Sequence, residues 1–233
     1  MSAAAPVSVV VPTHNGERYL AESLASILEQ TCPPHEIIVV DDGSSDRGPE
    51  IAAGFDERVR LLRQEQSGAA AARNRGIAAA TQPYLAFLDH DDVWMPRKTE
   101  LQLAVLAARP EVAGSFGSMV EFVSPDVPPE VARRFAAVEQ PTPSTLISCM
   151  LVHAAEFLRV GLLAVDSRAD FVDWYLRARD LGLRFETVPE VVVRRRIHDR
   201  NSSRDGRVKN DYLKHLKASL DRRRLAAAKV GGV

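Results

Sequence analysis

Apolar runs that stop abruptly at polar clusters set the pattern of the first hundred residues. Val7, Val9, Val10 and Val11 form a β-branched run ending at Pro12-Thr13-His14-Asn15-Gly16, which reads as a buried strand and a turn. From Glu17 onward Leu20, Leu24, Ile27 and Leu28 recur at helical spacing, and Pro33-Pro34 stops that helix. A second strand, 36–40, carries I-I-V-V and ends in Asp41-Asp42-Gly43-Ser44-Ser45-Asp46. A short helix beginning near Ser45 precedes a third strand at 59–62. Ser67-Gly68 then opens an Ala-rich helix containing Arg73-Asn74-Arg75-Gly76. The stretch 84–94, Y-L-A-F-L-D-H-D-D-V-W, drives a fourth apolar run into Asp89, His90, Asp91 and Asp92.

Strand and helix alternate throughout this half, which predicts an α/β fold with a mostly parallel sheet and helices on both faces. Ligands of such sheets bind beyond the carboxyl ends of the strands, so the three polar clusters are expected to converge there. The second half is less regular. Its pattern predicts a helix over 96–108, one or two strands over 112–123, and a Pro-rich loop or lid over 124–143 with a short helix at 131–138. A strand at 145–151 and a helix at 153–160 follow. A clearer helix spans 170–181, with Phe171, Trp174, Ala178 and Leu181 on one face. Residues 184–188 and 190–197 read as two strands leading to His198, and 207–229 as a basic helix with Leu213, Leu216 and Leu220 on one side. Mixed strands are therefore expected beside the parallel ones. The reading gives one domain over 1–204, with a nucleotide-binding half to residue 110 and an acceptor-binding half after it, and a C-terminal helix over 205–233.

Composition narrows the class. A chain of 233 residues with 45% hydrophobic and 26% charged residues can bury a core, as an ordinary globular protein does. A net charge of −1 argues against a nucleic-acid footprint over the whole surface. Cys32 and Cys149 are far apart, without metal-ligand spacing, and are expected to be reduced structural thiols. The N-terminus lacks a signal-peptide pattern, and no apolar run approaches the roughly 20 residues that span a bilayer. A cytoplasmic location is the expectation. The basic helix leaves peripheral contact with an anionic membrane open, beside a partner protein and a solvated helix closing the domain.

Three carboxylates within four residues at 89–92 repel one another unless a cation sits among them. Hard oxygen ligands at that density suit Mg²⁺ or Mn²⁺ with a phosphate completing the shell. The alternative is an acidic turn capping the next helix. Convergence with the clusters at 13–17 and 41–46 favours the metal site.

The segments V-S-V-V-V-P-T-H-N-G-E, I-I-V-V-D-D-G-S-S-D, G-A-A-A-A-R-N-R-G-I, F-L-D-H-D-D-V-W and R-R-I-H-D-R-N-S-S together resemble a family 2 glycosyltransferase of the GT-A fold, in that family's order. The resemblance implies inverting transfer of a sugar from a nucleotide diphosphate, UDP by family precedent, to an acceptor that the sequence does not identify. It implies that Pro12, Thr13, Asn15, Glu17, Asp41 and Asp42 hold the nucleoside, with carboxylates accepting base N–H or ribose hydroxyls. Arg73 resembles a family arginine at the donor's phosphate or nucleoside. Asp89-His90-Asp91 matches the metal motif, with Asp91 as first ligand to Mn²⁺ or Mg²⁺ and Asp89 on ribose or metal-bound water. His198 matches a histidine presented to metal or diphosphate, with Arg195 and Arg196 adding phosphate contacts. Asp92 is expected to cap the turn into the next helix.

An inverting transfer needs a carboxylate base, and here the match to the family is poorest. Aligning on W-Y-L-R-A puts Phe171 at the usual base position, where it is expected to pack on Trp174 instead. Asp170 is the first candidate base and Asp173 the second, with helix capping as the alternative role for both. Phe171 also motivates a non-catalytic nucleotide-sugar binding module. A nucleotidyltransferase would want a Gly-rich basic loop after the first strand, and P-T-H-N-G-E is not one.

Overall fold

The computed structural model describes residues 4–133, 137–199, 201 and 207–230. Strand β1 (Ala5–Thr13) lies inside the sheet, and its Val7, Val9, Val10 and Val11 are fully buried. A strand covered on both faces needs apolar residues at successive positions, which explains the unbroken valine run. Helix α1 (Leu20–Leu28) leads to β2 (Pro34–Asp42), α2 (Gly48–Ala53) to β3 (Val59–Gln64), and α3 (Ala69–Ala79) to β4 (Tyr84–Phe87). Strand β2 pairs in parallel with both β1 and β3, and β4 pairs in parallel with the other edge of β1. The order β3-β2-β1-β4 therefore changes direction at β1. Ligands of such sheets bind beyond the carboxyl ends of the strands at a change of direction of this kind.

Helix α3 sits close on the sheet because its facing residues are small. A Cβ on Gly76 would stand 2.4 Å from Val10 Cγ1, and Ala72 packs with Ile38 and Val40.

The chain continues through β5 (Val93–Trp94), α4 (Lys98–Ala108), β6 (Gly114–Val123), α5 (Pro129–Ala132), β7 (Thr142–Ser144) and β8 (Leu151–His153). Helices α6 (Ala154–Val160) and α7 (Asp170–Asp180), strand β9 (Phe185–Ile197) and helix α8 (Arg207–Val230) complete it. The sheet extends beyond β4 in the order β8-β6-β9-β5. Strand β8 is antiparallel to β4 and β6, β6 is parallel to β9, and β5 is antiparallel to β9. The mostly parallel sheet with mixed strands is the architecture expected.

Local differences have local causes. The first helix begins at Leu20, since residues 17–19 still belong to the turn. In place of a strand over 145–151, a 3₁₀ turn occupies Ile147–Cys149. Its neighbourhood is shaped by buried side chains of α4: Gln102 Nε2 donates to Ser115 O and Cys149 O, both at 2.8 Å, and Lys98 Nζ donates to Met150 O at 3.2 Å and to Gln102 Oε1. Carbonyls that a ladder would have used are satisfied by side chains instead. Burial pushes the Lys98 amine down to about 7 and the Cys149 thiol up to about 11. The two strands expected over 184–197 form one strand, β9, whose register against β6 shifts between Val188 and Val191. Pro189 lacks a ladder N–H, and the irregularity accommodates it. The short helix expected at 131–138 is α5, ending at Ala132; residues 134–136 lie outside the described part.

Candidate active site

A cleft of about 460 Å³ opens at the carboxyl ends of β1 and β4. Pro12, Thr13, His14 and Asn15 line it from the end of β1. Asn15 has φ of 52°, a left-handed conformation that Asn tolerates, and this turns the chain sharply. Its N–H donates to Ser44 Oγ at 2.8 Å and its Oδ1 accepts from Ser45 N at 2.9 Å, so the turns after β1 and β2 are laced together. His14 Nδ1 lies 2.8 Å from Asp42 O. A carbonyl only accepts, so Nδ1 carries the proton and Nε2 accepts from Asn15 Nδ2 and Gln66 Nε2, each at 3.2 Å. Thr13 Oγ1 is buried without a hydrogen-bond partner among the described residues.

Asp42 is the cleft's carboxylate from β2. Its Oδ1 accepts from Gln64 Nε2 and Ser67 N and its Oδ2 from Gly68 N, all at 2.8 Å. Those bonds fix the entry to α3, and the carboxylate keeps lone pairs for a ligand. Asp41 stands apart from the cleft lining. It is 1% exposed, accepting from Ser44 N at 3.1 Å and from Arg63 Nε at 3.3 Å. Glu17 also stands outside the lining, because Arg47 takes its carboxylate at 2.5 Å.

Asp89, His90, Asp91 and Asp92 all line the cleft, but their side chains do different things. Asp89 Oδ1 accepts from Arg73 Nη2 at 2.6 Å, and Arg73 Nη1 donates to Asp170 Oδ2 at 3.1 Å. Burial lowers the Arg73 pKa, but the two carboxylates outweigh it and raise the pKa above its ordinary value. Asp91 Oδ2 lies 2.9 Å from His198 Nε2 and accepts from Asn201 Nδ2 at 3.3 Å. Burial alone would raise the Asp91 pKa; the His198 hydrogen bond and the nearby imidazoles hold it below the usual carboxylate range. Asp92 does not cap α4 as expected. It is buried and accepts from Arg196 N at 2.9 Å, pinning β9 to the acidic stretch. Burial, then the charges of Asp91 and Asp89, push its pKa well above the ordinary value.

Among the described residues no three His, Cys, Asp or Glu side chains gather as a complete cation cage. Asp89 does not join Asp91 and His198, because Arg73 holds it. The remaining pair, one carboxylate and one imidazole, fits Mn²⁺ or Mg²⁺ as a partial shell of the kind that substrate phosphates complete.

Arg196 is not part of the cleft lining. Its side chain is 4% exposed, donating to Asp91 O at 2.9 Å and Glu22 at 2.6 Å, with its guanidinium over the Tyr19 and Phe122 rings. Arg195 lines the cleft. Phe171 stacks on Trp174 as expected, with centroids 5.7 Å apart. Asp170 reaches the cleft's edge only through Arg73. Asp173 is drawn the other way, 2.8 Å from Arg177 and 3.3 Å from His215 of α8.

Sequence reasoning passed over Arg18 and Tyr19, which also line the cleft. Tyr19 packs on His198 with ring centroids 5.0 Å apart, and its hydroxyl donates to Asp126 of the 124–128 loop at 3.2 Å. Their position directly after the P-T-H-N-G-E turn was the available signal. Arg200, Ser202 and Ser203 of the last motif lie outside the described residues.

Comparison with known proteins agrees with this geometry. Residues 8–143 match the model of "Glycosyl transferase family 2". An uncharacterized glycosyltransferase of Rickettsia felis is 26% identical over 85% of this chain and 35% of its own length. The Escherichia coli UDP-Glc:alpha-D-GlcNAc-diphosphoundecaprenol beta-1,3-glucosyltransferase WfgD is 39% identical over 43% of this chain and 40% of its own. The chain thus spans well under half the length of both relatives. Among solved structures, Staphylococcus aureus TarS in complex with UDP-GlcNAc superposes with a TM-score of 0.72 at 19% identity, covering 93% of this chain and 66% of that one. The mannosyltransferase PcManGT of Pyrobaculum calidifontis, in complex with GDP-Man and Mn²⁺, gives 0.69 at 23%, covering 94% and 65%. These two likenesses bear on fold alone. With the family model matching more than half of the chain, the protein belongs to glycosyl transferase family 2.

Proposed function

We propose that the chain carries out metal-dependent, inverting transfer of a sugar from a UDP-sugar to an acceptor hydroxyl, with Asp170 as the general base. One observation carries the reading: the Asp91–His198 pair and the Arg73–Asp89 pair line one cleft at the carboxyl ends of β1 and β4. Support for UDP comes from the donor named for WfgD and the ligand of TarS, and support for Mn²⁺ from the PcManGT complex. Asp91 and His198 would hold the ion, which supplies Lewis-acid neutralisation of the diphosphate. Asp42 and the Thr13–Asn15 turn accept and donate to the nucleoside, and Arg73 sits where it can pair with a phosphate. The acceptor oxygen attacks the anomeric carbon as the carbon–oxygen bond to the diphosphate breaks. The hydroxyl proton passes to Asp170, and the nucleoside diphosphate leaves. For Asp170 to do this, Arg73 must shift its contact from Asp170 to the donor. The candidate for an acceptor-facing lid is the loop over 124–143, and its Asp126 contacts with Arg18 and Tyr19 of the cleft support that role.

A second reading, binding without turnover, is favoured by one observation: Asp170 lies off the cleft lining and in an ion pair. A panel of UDP-, GDP- and dTDP-sugars, with and without Mn²⁺, separates the two. Thermal stabilisation by a donor together with product release supports transfer, since a true ligand stabilises the fold by mass action. Stabilisation with no hydrolysis or transfer from any donor sinks it and leaves the binding module.

A further inference from the structure

Helix α8 docks by its polar side. Asp211 accepts from Arg168 N at 2.9 Å, and His215 lies 2.7 Å from Ser167 Oγ and 3.3 Å from Asp173. Ser219 Oγ and Arg222 Nε reach Asp180 at 2.8 and 2.7 Å. Positions 211, 215, 219 and 222 follow helical spacing and share one face. Of the three leucines expected on one side of this helix, Leu216 is half-buried and the other two lie away from the docking face. Leu213 is 55% exposed and Leu220 is 53% exposed. With Lys217 and Arg224 they follow the same spacing on the far side, so the outer stripe reads Leu213, Lys217, Leu220, Arg224, with exposed Lys214 beside it. The exposed acid there, Asp221, is 3.8 Å from Arg224.

We propose that this stripe rests the chain on an anionic lipid bilayer, with the axis of α8 parallel to the surface. The two leucines enter the boundary between headgroups and acyl chains, and Lys214, Lys217 and Arg224 lie on lipid phosphates. A helix fixed to its domain through ion pairs and hydrogen bonds is free to offer its apolar residues outward. Cations interleaved with leucines complement a negatively charged bilayer. A second copy on the same stripe would set these cations against themselves, which disfavours self-association.

Flotation of the full chain with phosphatidylcholine vesicles and with vesicles containing phosphatidylglycerol tests this. Binding is expected to the anionic vesicles alone and to fall with added salt. In Lys214→Ala and Lys217→Ala variants it should weaken about fivefold for each cation removed. A Leu213→Ser/Leu220→Ser double variant should also release the vesicles while its thermal midpoint stays with that of the parent. Equal binding to neutral vesicles, binding to neither, or variants that float like the parent overturn the proposal. So does a dimer in solution that the leucine variant dissociates. If the leucine variant fails to fold, the lysine variants decide alone.

Discussion

Arg73 and Asp170, 97 residues apart in sequence, form an ion pair at 3.1 Å that ties α3 to α7 beneath the cleft. The guanidinium also holds Asp89, so one buried cation balances two carboxylates. Truncating it leaves both acids without their countercharge, and Arg73→Ala should lower unfolding free energy by about 3 kcal/mol. Urea denaturation checks this; a loss below measurement error would mean that water compensates the acids.

Asp170→Asn keeps the shape of the side chain and removes its capacity as a base. Transfer should fall about 10²–10⁴-fold with donor KM little changed. Asp173→Asn should instead lower the thermal midpoint and leave the rate within a few-fold, because Asp173 faces Arg177 and His215. A reversed ranking of the two rates would move the base to Asp173.

Asp91→Asn and His198→Ala should each abolish the extra thermal stabilisation that Mn²⁺ gives in the presence of UDP. Asp89→Asn should retain part of it, since Asp89 pairs with Arg73. Equal loss in all three would place Asp89 in the ion's shell.

Gly76→Ala should destabilise the fold by about 1–3 kcal/mol, the usual cost of overpacking, because the new methyl meets Val10 at 2.4 Å. Since α3 carries Arg73, donor binding should weaken alongside. An unchanged urea midpoint would show that α3 lifts off β1 freely.

Lys98 and Cys149 make a pH prediction. The folded-state pKa of Lys98 is depressed to about 7 by burial. The unfolded chain therefore holds a proton that the folded chain has lost, and stability should rise from pH 7 upward, by up to about 1.4 kcal/mol per pH unit. The Cys149 pKa, raised to about 11, acts oppositely once unfolded thiols ionise above about 8.5, so the rise should flatten there. Lys98→Met should remove the rise; chemical denaturation across pH 7–10 measures it.

Much of the fold was legible because strands buried on both faces must be apolar at successive positions. The runs at Val7–Val11 and Ile37–Val40 admit few other readings. The polar ends converged because topology, once parallel, dictates where carboxyl ends lie. Side-chain partners were less legible. Asp89 and Asp91 are two residues apart, yet one faces Arg73 and the other His198, a division that depends on where α3 and β9 come to rest. Arg196 looked like a phosphate ligand and serves as a buried hub, because Asp92 captures its N–H and Glu22 its guanidinium. The pattern put Leu213, Leu216 and Leu220 on one side of α8 without saying which side meets the domain. Asp173 and Asp180 draw in its histidine, serine and arginine.

The short, glycine-hinged entry to α3 also sets a length. Asp42 grips the chain at Ser67 and Gly68, and Arg73 projects from the helix five residues later. Helical rise puts roughly 7.5 Å along the axis between Gly68 and Arg73. The helix thus works as a ruler between the carboxylate that anchors its start and the guanidinium it carries into the same cleft. A ligand touching both would meet backbone anchors whose separation α-helical geometry sets, leaving only the arginine side chain to adjust the reach.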